Sequence, residues 1–401
     1  MPDPDNPDLH RGALVHGDRD HGSPGAPGPD EPHWDASELY DIGGWPAILG
    51  KLGAGEDLSA RESAAALSEI LAGEATQAQV AAFIFGLRCK GETVEELSGM
   101  LRAMLAVAET VPVSDELAHR LVDTCGTGGD RAGTINISTI AALVVAGAGV
   151  PVCKHGGRAA SSRTGSADVL EALGVEIVLP PASVARCIEE AGMGFCFAPR
   201  YHPAMRHVVP TRRELGVPTA FNLLGPLANP GRVRYQLVGV GDGRVAERLA
   251  AVLASAGATR AWVVHGEDGL DELSTAAPSV VVECGSPDAA AGGTVALRTF
   301  VVEPISLGLR PARAEDLRGG DPAANAEAVR AVLSGASGPH RDIVLLNAAA
   351  ALVVVGEVSD LSEGLARSAE SVDSGRASRC LARLVECSRS EARALRKEGR
   401  G

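Results

Sequence analysis

The feature that most constrains the fold of this chain is a glycine-rich loop held between two short apolar segments. Residues 121–122 lead into CGTGGD at 125–130, residues 136–139 open an alanine-rich helix that ends near Gly147, and residues 150–153 form a second apolar segment. A strand, a loop, a helix and a strand within about 30 residues are typical of a βαβ unit. The crossover in such a unit makes its two strands parallel.

The same alternation returns later in the chain. Residues 235–240 and 261–265 are strand-like and enclose a helical stretch at 245–256, while residues 343–355 form a nearly uncharged helix. We therefore predict an α/β domain over residues 116–401, with a central, largely parallel sheet flanked by helices.

Before this domain the hydrophobic periodicity is helical. Apolar residues recur at 64, 67, 70 and 71 and again at 80, 83, 84 and 87, and Thr76 with Gln79 forms a candidate capping box. No strand-like alternation interrupts the pattern. We predict a small all-helical domain over residues 34–115, joined by helices from about residues 200–230.

Residues 1–33 differ in composition, being dominated by Asp, Pro, Gly and His. Such a segment cannot bury enough apolar surface to offset the chain entropy lost on ordering, so we predict a disordered tail. Its histidines are irregularly spaced, which favours a solvated segment over a metal-binding tract.

Composition excludes several classes of function. A formal net charge of −14 disfavours binding to a nucleic-acid backbone. No apolar run reaches the roughly 18 residues that a transmembrane helix needs. The eight cysteines contain no CxxC pair, which argues against a zinc ribbon and a secreted disulfide framework. We expect a cytoplasmic protein with reduced thiols and without a nucleic-acid or membrane partner.

The glycine loop predicts an anion site. Glycines let backbone N–H groups approach an anion closely, and the N-terminus of the following helix adds free donors and a favourable dipole. A plain strand-to-helix turn needs one glycine, whereas residues 126–130 contain three and polar residues follow from 134 to 139. Because the segment fits neither GxGxxG nor the P-loop pattern, we predict phosphate binding without a Rossmann or Walker motif.

A basic segment follows the second strand of the same unit. Residues 154–158 read KHGGR, and hydroxyl side chains follow at 161, 162, 164 and 166. Ligands of parallel sheets lie at the carboxyl ends of the strands, so this segment and the glycine loop should face one crevice. Taken singly, Lys154 fits a solvated lysine and His155 a structural histidine. Together with the loop they indicate a site for a diphosphate that carries a sugar.

Adjacent carboxylates follow the strand that ends near His265. Asp271 and Glu272 would form a site of hard oxygen ligands, and magnesium prefers one or two carboxylates together with substrate phosphates and water. An exposed acidic loop is the alternative interpretation. Combined with the two diphosphate features, the pair predicts a Mg²⁺ cofactor.

A further cation lies on a predicted helix near the crevice. Arg212 precedes the segment FNLLGPLANP at 221–230. Its guanidinium could offer a planar pair of donors to a substrate carboxylate. Alternatively, Arg212 or Arg213 pairs with Glu214 or is solvated.

Several segments together resemble one family. In order along the chain they are GTGGD at 126–130, NIST at 136–139, KHG and RAASS within 154–162, GSADVLEALG at 165–174, FAPRYHPAM at 197–205, FNLLGPLANP at 221–230 and DGLDE at 268–272. In these segments, and from about residue 45 to beyond 355, the chain resembles the anthranilate phosphoribosyltransferase family. The resemblance implies a magnesium-dependent pentosyltransferase of tryptophan biosynthesis that transfers the phosphoribosyl group of phosphoribosyl pyrophosphate to anthranilate. It also implies a homodimer whose active sites lie between the helical and α/β domains.

The resemblance assigns expected roles to individual residues. The catalytic residues would be Lys154 and Arg212. The magnesium ligands would be Ser138, Asp271 and Glu272. The residues that contact anthranilate would be Gly126, Gly157 and Arg212. The residues that contact phosphoribosyl pyrophosphate would be Gly126, Gly129, Asp130, Thr134, Asn136, Ile137, Ser138, Thr139, Lys154, His155, Gly156, Gly157, Arg158, Ala159, Ala160, Ser161, Ser162 and Ser166.

One residue departs from the family. Where the family usually reads KHGNR, this chain reads KHGGR, so Gly157 replaces an asparagine that lies against the aromatic acceptor. Loss of the amide removes a polar contact and leaves space, which could loosen acceptor selection. Alternatively, the glycine serves the backbone by adopting a positive φ.

Three other functions fit parts of the sequence. A pyrimidine nucleoside phosphorylase has this type of architecture but would use inorganic phosphate and would not need the Asp271–Glu272 metal site. A transferase for a related arylamine is motivated by Gly157. A non-catalytic protein that binds nucleic acid is disfavoured by the net charge of −14 and by the complete donor motifs.

Overall fold

The described part of the chain opens with helices. The computed structural model describes residues 38–130, 132–159, 163–285 and 296–398, so the predicted tail at residues 1–33 lies outside the described residues. The first helices are α1 (Glu38–Asp41), α2 (Gly44–Gly53), α3 (Ala60–Ala72), α4 (Gln77–Lys90), α5 (Val94–Ala106) and α6 (Asp115–Ala118).

Capping boxes fix where three of these helices begin. The Thr76 hydroxyl accepts from the Gln79 backbone N–H, and Gln79 Oε1 accepts from the Thr76 backbone N–H at 2.7 Å, as predicted. Ser59 and Thr93 open α3 and α5 in the same way. These bonds satisfy N–H groups that the first turn of a helix leaves without partners. The apolar stripes predicted on α3 and α4 are buried.

A single seven-stranded sheet follows. Its strands are β1 (Val122–Gly126), β2 (Val152–Gly156), β3 (Met193–Phe197), β4 (Tyr235–Gly239), β5 (Arg260–Gly266), β6 (Ser279–Gly285) and β7 (Leu297–Val302). The spatial order is β3-β2-β1-β4-β5-β6-β7. The first five strands in that order are parallel, and β6 and β7 extend the sheet in antiparallel pairing.

Helices connect and cover the strands. They are α7 (Ile137–Gly147), α8 (Ser166–Leu173), α9 (Pro181–Ala191), α10 (Ala198–Tyr201), α11 (Val209–Leu215), α12 (Ala220–Leu227), α13 (Ala246–Ser255), α14 (Pro322–Leu333), α15 (Pro339–Val355), α16 (Leu361–Asp373) and α17 (Arg376–Glu398). Four 3₁₀ turns lie at Pro203–His207, Gly243–Val245, Pro304–Leu307 and Ala314–Leu317.

Each face of the sheet contributes residues to a different apolar cluster. Along β5, Trp262 and Val264 belong to the cluster that contains α7 and α15, whereas Ala261 and Val263 belong to the cluster that contains the first helices. In the second cluster α13 packs against α5, and α12 packs against α4 and α5. The first helices are thereby joined to the sheet through apolar contacts rather than through a linker alone.

The predicted fold class is confirmed, since a helical N-terminal part precedes a larger α/β part with a mostly parallel sheet. The strands predicted near residues 122, 152, 235 and 261 are present as β1, β2, β4 and β5. β3, β6 and β7 were not predicted. None of the described helices is long and apolar enough to cross a membrane. The boundaries proposed for the domains stay predictions.

Gly99 should be intolerant of a side chain because α5 lies against α3 at that point. A Cβ at Gly99 would meet the Ala60 carbonyl oxygen at 2.2 Å, whereas a Cβ at Gly50, an exposed position of α2, would meet no described atom within 4 Å. We expect Gly99→Ala to lower the free energy of unfolding by about 1–3 kcal/mol. The matched Gly50→Ala should raise it by about 0.5–1 kcal/mol through helix propensity. Urea denaturation measures both values, and equal effects would contradict this packing.

Candidate active site

Four of the parallel strands end in glycine at the same edge of the sheet. These are Gly126 of β1, Gly156 of β2, Gly239 of β4 and Gly266 of β5. In each case an added Cβ would lie within 2.5 Å of an atom from a loop at this edge. Glycine is required there because the loops pass directly over the strand ends.

The closest of these approaches involves Asp271. A Cβ on Gly239 would lie 1.5 Å from the Asp271 carbonyl oxygen, and a Cβ on Gly126 would lie 2.4 Å from Asp271 Oδ2. Gly126 and Gly239 are register partners on neighbouring strands. The loop after β5 therefore crosses the ends of β1 and β4 and brings Asp271 to the glycine loop.

Both carboxylates of the predicted metal site meet that loop and its helix. Asp271 Oδ2 accepts from the Gly128 backbone N–H at 2.8 Å, and Glu272 Oε1 accepts from the Ser138 backbone N–H at 3.1 Å, at the start of α7. The structure thus brings Ser138 together with the adjacent Asp271 and Glu272, although Ser138 and Glu272 are 134 positions apart in the sequence.

A buried side chain holds the acidic loop in place. Asn347, on α15, accepts from the Leu273 backbone N–H and donates to the Leu273 carbonyl, both at 2.9 Å. Asn347 is fully buried. Because Leu273 follows Glu272 directly, this pair of bonds fixes the backbone from which the carboxylate extends. The sequence analysis missed Asn347, although a polar residue within a nearly uncharged helix was a usable signal.

The electrostatic environment of Asp271 and Glu272 favours a bound cation. Burial, with the nearby Asp130 carboxylate as a second cause, raises the pKa of Asp271 above its usual range. Burial and the Asp271 charge raise the pKa of Glu272 in the same way. A divalent cation would offset this repulsion. No third His, Cys, Asp or Glu completes a metal cluster within the part of the chain that the structure describes, so the remaining ligands would come from the Ser138 hydroxyl, substrate phosphate and water.

Lys154 lies inside the sheet at the same edge. Its side chain is 2% exposed, and its ammonium donates to the Thr124 carbonyl on the adjacent strand β1. The charge of Lys154 opposes the upward shift of the pKa of Glu272. A buried ammonium that already acts on the acidic pair is positioned to act on an anion bound between them.

Asp123 and Asn229 form a polar layer beneath Lys154. Asp123 accepts from the Asn229 amide at 2.7 Å and from the His155 backbone N–H at 3.3 Å. Burial raises the pKa of Asp123 to about 6, against the lowering effect of Lys154. The sequence analysis did not single out either residue. Their contacts join β1, β2 and the segment after α12, which are distant in sequence.

Two side chains of the basic segment, those of His155 and Arg158, have contacts of their own within the protein. His155 is buried 5.2 Å from the His202 ring, and burial together with His202 lowers the pKa of His155 to about 3, so its imidazole is neutral at pH 7. The Arg158 guanidinium binds Glu171 and Asp168, which raise the pKa of Arg158. His155 is therefore a buried, uncharged side chain, and the Arg158 guanidinium is already paired with two carboxylates.

The glycine loop exposes mainly backbone. Gly128 and Gly129 have φ values of 66° and 84° and are exposed, whereas the side chains of Ile137 and Thr139 are 2% and 1% exposed. Asp130 Oδ1 accepts from the Ala132 backbone N–H at 3.2 Å. The loop can therefore offer N–H groups to an anion, as the glycines predict.

Residues 317–325 contact the segment that joins the glycine loop to α7. The Asn136 amide donates to the Thr164 carbonyl and accepts from the Asn325 amide, and Thr134 pairs with Arg318 through a β-bridge. Thr134 and Asn136 are thus fixed by protein contacts next to the predicted site. Asn325 was not predicted.

The segment after β2 carries the remaining predicted donor contacts. The Ser166 hydroxyl donates to the Gly157 carbonyl at 3.3 Å, and the Ala159 backbone N–H donates to Asp168 Oδ2 at 3.1 Å. The predicted contacts at 160, 161 and 162 lie outside the described residues.

Gly157 does not need to be glycine for its backbone. Its φ is not in the left-handed region, and an added Cβ would meet no described heavy atom within 4 Å. The explanation by a positive φ therefore does not hold. The described residues leave the space around that Cβ open.

The Arg212 guanidinium is available to bind an anion. It lies on α11, with its guanidinium 5.4 Å from the centre of the Phe221 ring and Nη2 donating to Asn222 Oδ1 at 3.2 Å. No carboxylate among the described residues pairs with Arg212, so the alternative of a bond to Glu214 is absent from the described chain. Burial lowers the pKa of Arg212, but its guanidinium remains charged at pH 7.

Comparison with known proteins is consistent with this geometry. The profile described as "Glycosyl transferase family, a/b domain" matches residues 118–378, and that described as "Glycosyl transferase family, helical bundle domain" matches residues 46–108. The anthranilate phosphoribosyltransferase of Thermomicrobium roseum is 53% identical over 348 residues, which cover 87% of this chain and 98% of that protein. The chain belongs to the anthranilate phosphoribosyltransferase family.

Solved structures of this family have the same fold. The anthranilate phosphoribosyltransferase of Thermus thermophilus superposes with a TM-score of 0.78 at 42% identity, covering 85% of this chain and 99% of that one. The Saccharomyces cerevisiae anthranilate phosphoribosyltransferase, solved in complex with phosphoribosyl pyrophosphate and Mg, gives a TM-score of 0.77 at 28% identity over 86% of this chain and 98% of that one. The resemblance inferred from the sequence segments is confirmed.

Proposed function

We propose that this protein is a magnesium-dependent transferase that moves the phosphoribosyl group of phosphoribosyl pyrophosphate to the amine of anthranilate in tryptophan biosynthesis, releasing pyrophosphate. The observation that carries the proposal is the buried Asp271–Glu272 pair seated on the glycine loop and on the start of α7. Relatives about half identical over most of the chain are anthranilate phosphoribosyltransferases. A yeast relative has been solved with the donor and Mg.

The donor would lie across the carboxyl ends of β1 and β2. The loop N–H groups that follow Gly128 would bind its diphosphate, since the Gly128 N–H already donates to Asp271. Lys154 would supply a positive charge from strand β2. Asp271 and Glu272, with the Ser138 hydroxyl, would hold Mg²⁺, which when bound adds positive charge beside the diphosphate.

The acceptor would bind between the helices and the sheet edge. Arg212 would pair with the anthranilate carboxylate, since its guanidinium has no acidic partner in the described chain and lies beside the Phe221 ring. This contact would orient the amine toward the anomeric carbon of the donor. Gly126 and Gly157 would contribute backbone atoms that leave room for the aromatic ring.

The reaction depends mainly on stabilising the charges that develop and on aligning the acceptor amine with the donor. As pyrophosphate leaves, positive charge develops on the sugar and negative charge on the leaving group. The loop N–H groups and Lys154 would stabilise the leaving group, while Arg212 would hold the amine in line. An aromatic amine loses its proton readily once it is alkylated, so we assign no general base.

A related arylamine is the second candidate acceptor. The open space beside Gly157 favours it, because the side chain that usually lies against the acceptor is missing there. A nucleoside phosphorylase is less well supported, since phosphorolysis of a nucleoside would not need a metal site at Asp271 and Glu272.

We further propose a cytoplasmic homodimer. Two large apolar side chains on the first helices, Tyr40 and Phe85, are 74% and 47% exposed and could be covered by a second copy. Scattered cysteines without a CxxC pair suit a reducing compartment. Light scattering on the purified protein would measure its mass, and a monomer would contradict the dimer.

With phosphoribosyl pyrophosphate, anthranilate and Mg²⁺, the protein should release one pyrophosphate per anthranilate consumed, followed by loss of anthranilate fluorescence. Asp271→Asn and Glu272→Gln should each raise the Mg²⁺ concentration for half-maximal rate roughly tenfold or more, because a contact to a charged group contributes about 1.5–3 kcal/mol. Glu267→Gln, which removes an exposed charge from the same loop, should change nothing.

Two results would overturn this function. Phosphorolysis of a pyrimidine nucleoside without pyrophosphate release would identify a phosphorylase instead. Identical Mg²⁺ titrations for the parent, Asp271→Asn and Glu272→Gln would show that the carboxylate pair is not the metal site.

Gly157→Asn should lower the anthranilate Michaelis constant roughly two- to tenfold and sharpen discrimination against ring-substituted analogues, because one neutral polar contact contributes about 0.5–1.5 kcal/mol. The donor constant should not change. Gly157→Ala should be nearly silent, whereas Gly156→Ala should reduce activity because its Cβ would lie 2.2 Å from Ser166 Oγ. Steady-state kinetics with three analogues would measure this, and an unchanged analogue ranking in Gly157→Asn would refute the selectivity role.

A further inference from the structure

Two buried thiols from opposite ends of the α/β part face each other at the contact between α9 and α17. The Cys187 thiol donates to Cys387 Sγ at 3.3 Å, and the two residues are 200 positions apart in sequence. Cys187 is 1% and Cys387 6% exposed. Neither belongs to the site described above, and the proposed transfer reaction uses no thiol.

The helices are held in register at this point by a second polar contact. Ser183 lies one turn before Cys187 on α9, and Glu391 lies one turn after Cys387 on α17. The Ser183 hydroxyl donates to Glu391 Oε2 at 2.7 Å, and Arg186 pairs with the same carboxylate. The two sulfurs therefore meet in a fixed alignment of the helices rather than through mobile side chains.

We propose that Cys187 and Cys387 are a disulfide-forming pair, which a low-molecular-weight disulfide oxidises to a covalent cross-link between α9 and α17. A disulfide bond needs a sulfur separation of about 2.05 Å, so the sulfurs must approach by about 1.2 Å. A small change of side-chain torsions can provide that approach.

The reaction balances as two thiol–disulfide exchanges. The Cys387 thiolate attacks one sulfur of the oxidant RSSR, giving a mixed disulfide and releasing one RSH after protonation. The Cys187 thiolate then attacks the Cys387 sulfur of that mixed disulfide, forming the cross-link and releasing the second RSH. The protein loses two thiol hydrogens and two electrons, and the oxidant is reduced to two thiols.

Burial makes this pair slow to react in the closed structure. It raises the pKa of the Cys187 thiol and of the Cys387 thiol, so little thiolate is present at neutral pH. Exchange must therefore follow a local opening of the α9–α17 contact. The exposed Cys89 should react first and serves as an internal reference.

A second pair of thiols provides a contrast. Cys153 Sγ and Cys196 Sγ lie 3.6 Å apart on the neighbouring strands β2 and β3, and both side chains are fully buried. Opening there requires parting the edge strand β3 from β2, whereas opening at Cys187–Cys387 requires only that α17 move away from α9. We expect cross-linking at Cys187–Cys387 and none at Cys153–Cys196.

The cross-link would hold α17, which also contacts α7, the helix that follows the glycine loop. The Arg376 guanidinium of α17 donates to the Gly147 carbonyl at the end of α7. Because α7 begins at the glycine loop, fixing α17 to α9 would stabilise the layer of helices on that side of the sheet. A cross-link that closes a long loop is expected to be strongly stabilising.

The test is native oxidation of the full chain with excess oxidised glutathione, followed by mass mapping of a non-reduced digest. We expect a peptide pair joined through Cys187 and Cys387 that separates on reduction. The melting temperature of the oxidised protein should rise by roughly 5 °C or more and return to the starting value with dithiothreitol. Cys387→Ser should abolish the linked peptide and the shift, whereas Cys380→Ser, on the same helix, should keep both.

Absence of the linked peptide while Cys89 is fully glutathionylated would overturn the proposal. So would a Cys153–Cys196 link in its place, or a linked protein whose melting temperature does not rise. Mapping of the parent protein decides the question even if the serine variant fails to fold.

Discussion

The rest of the structure depends on the contact between two glycines and one backbone segment. Gly126 and Gly239 end adjacent strands in register, and Asp271 lies over both. A Cβ would meet the Asp271 carbonyl oxygen at Gly239 and the Asp271 carboxylate at Gly126. This crossing lets the loop after β5 reach the loop after β1. Carboxylates and backbone N–H groups that are far apart in sequence then face one another in a single crevice, as ligand sites of parallel sheets do.

The remaining features of the site follow from that crossing. Once Asp271 lies over the strand ends, Glu272 is buried beside it. Burial and the Asp130 charge raise the pKa of Asp271, and burial and the Asp271 charge raise the pKa of Glu272, so a bound cation would stabilise the charged form of both carboxylates. Asn347 fixes the backbone that follows, and Lys154 supplies a positive charge from within the sheet. These contacts position the charged groups ahead of the ligand, and such preorganisation favours catalysis by charge stabilisation.

Local sequence patterns predicted four of the parallel strands, but they did not predict the contacts between distant segments. β1, β2, β4 and β5 were predictable because apolar runs followed by glycine mark strands that end at a ligand edge. β6 pairs antiparallel with β5, and β7 pairs antiparallel with β6. These directions depend on contacts between separate segments, which the local pattern of one segment does not show. For the same reason the sequence indicated Asp271 and Glu272 but neither Asn347 nor the Asp123–Asn229 layer. It also suggested a phosphate role for Arg158, whose guanidinium instead binds carboxylates of α8.

The most direct test of the central contact is the affinity of Gly239→Ala for phosphoribosyl pyrophosphate in the presence of Mg²⁺, measured by titration calorimetry. The added Cβ would lie 1.5 Å from the Asp271 carbonyl oxygen, so the acidic loop must move and the affinity should fall at least tenfold. Gly126→Ala, which meets only the end of the carboxylate, should cause a smaller loss, and Gly50→Ala should cause none. A correctly folded Gly239→Ala protein that binds the donor and Mg²⁺ as tightly as the parent would contradict the dependence of the site on this crossing.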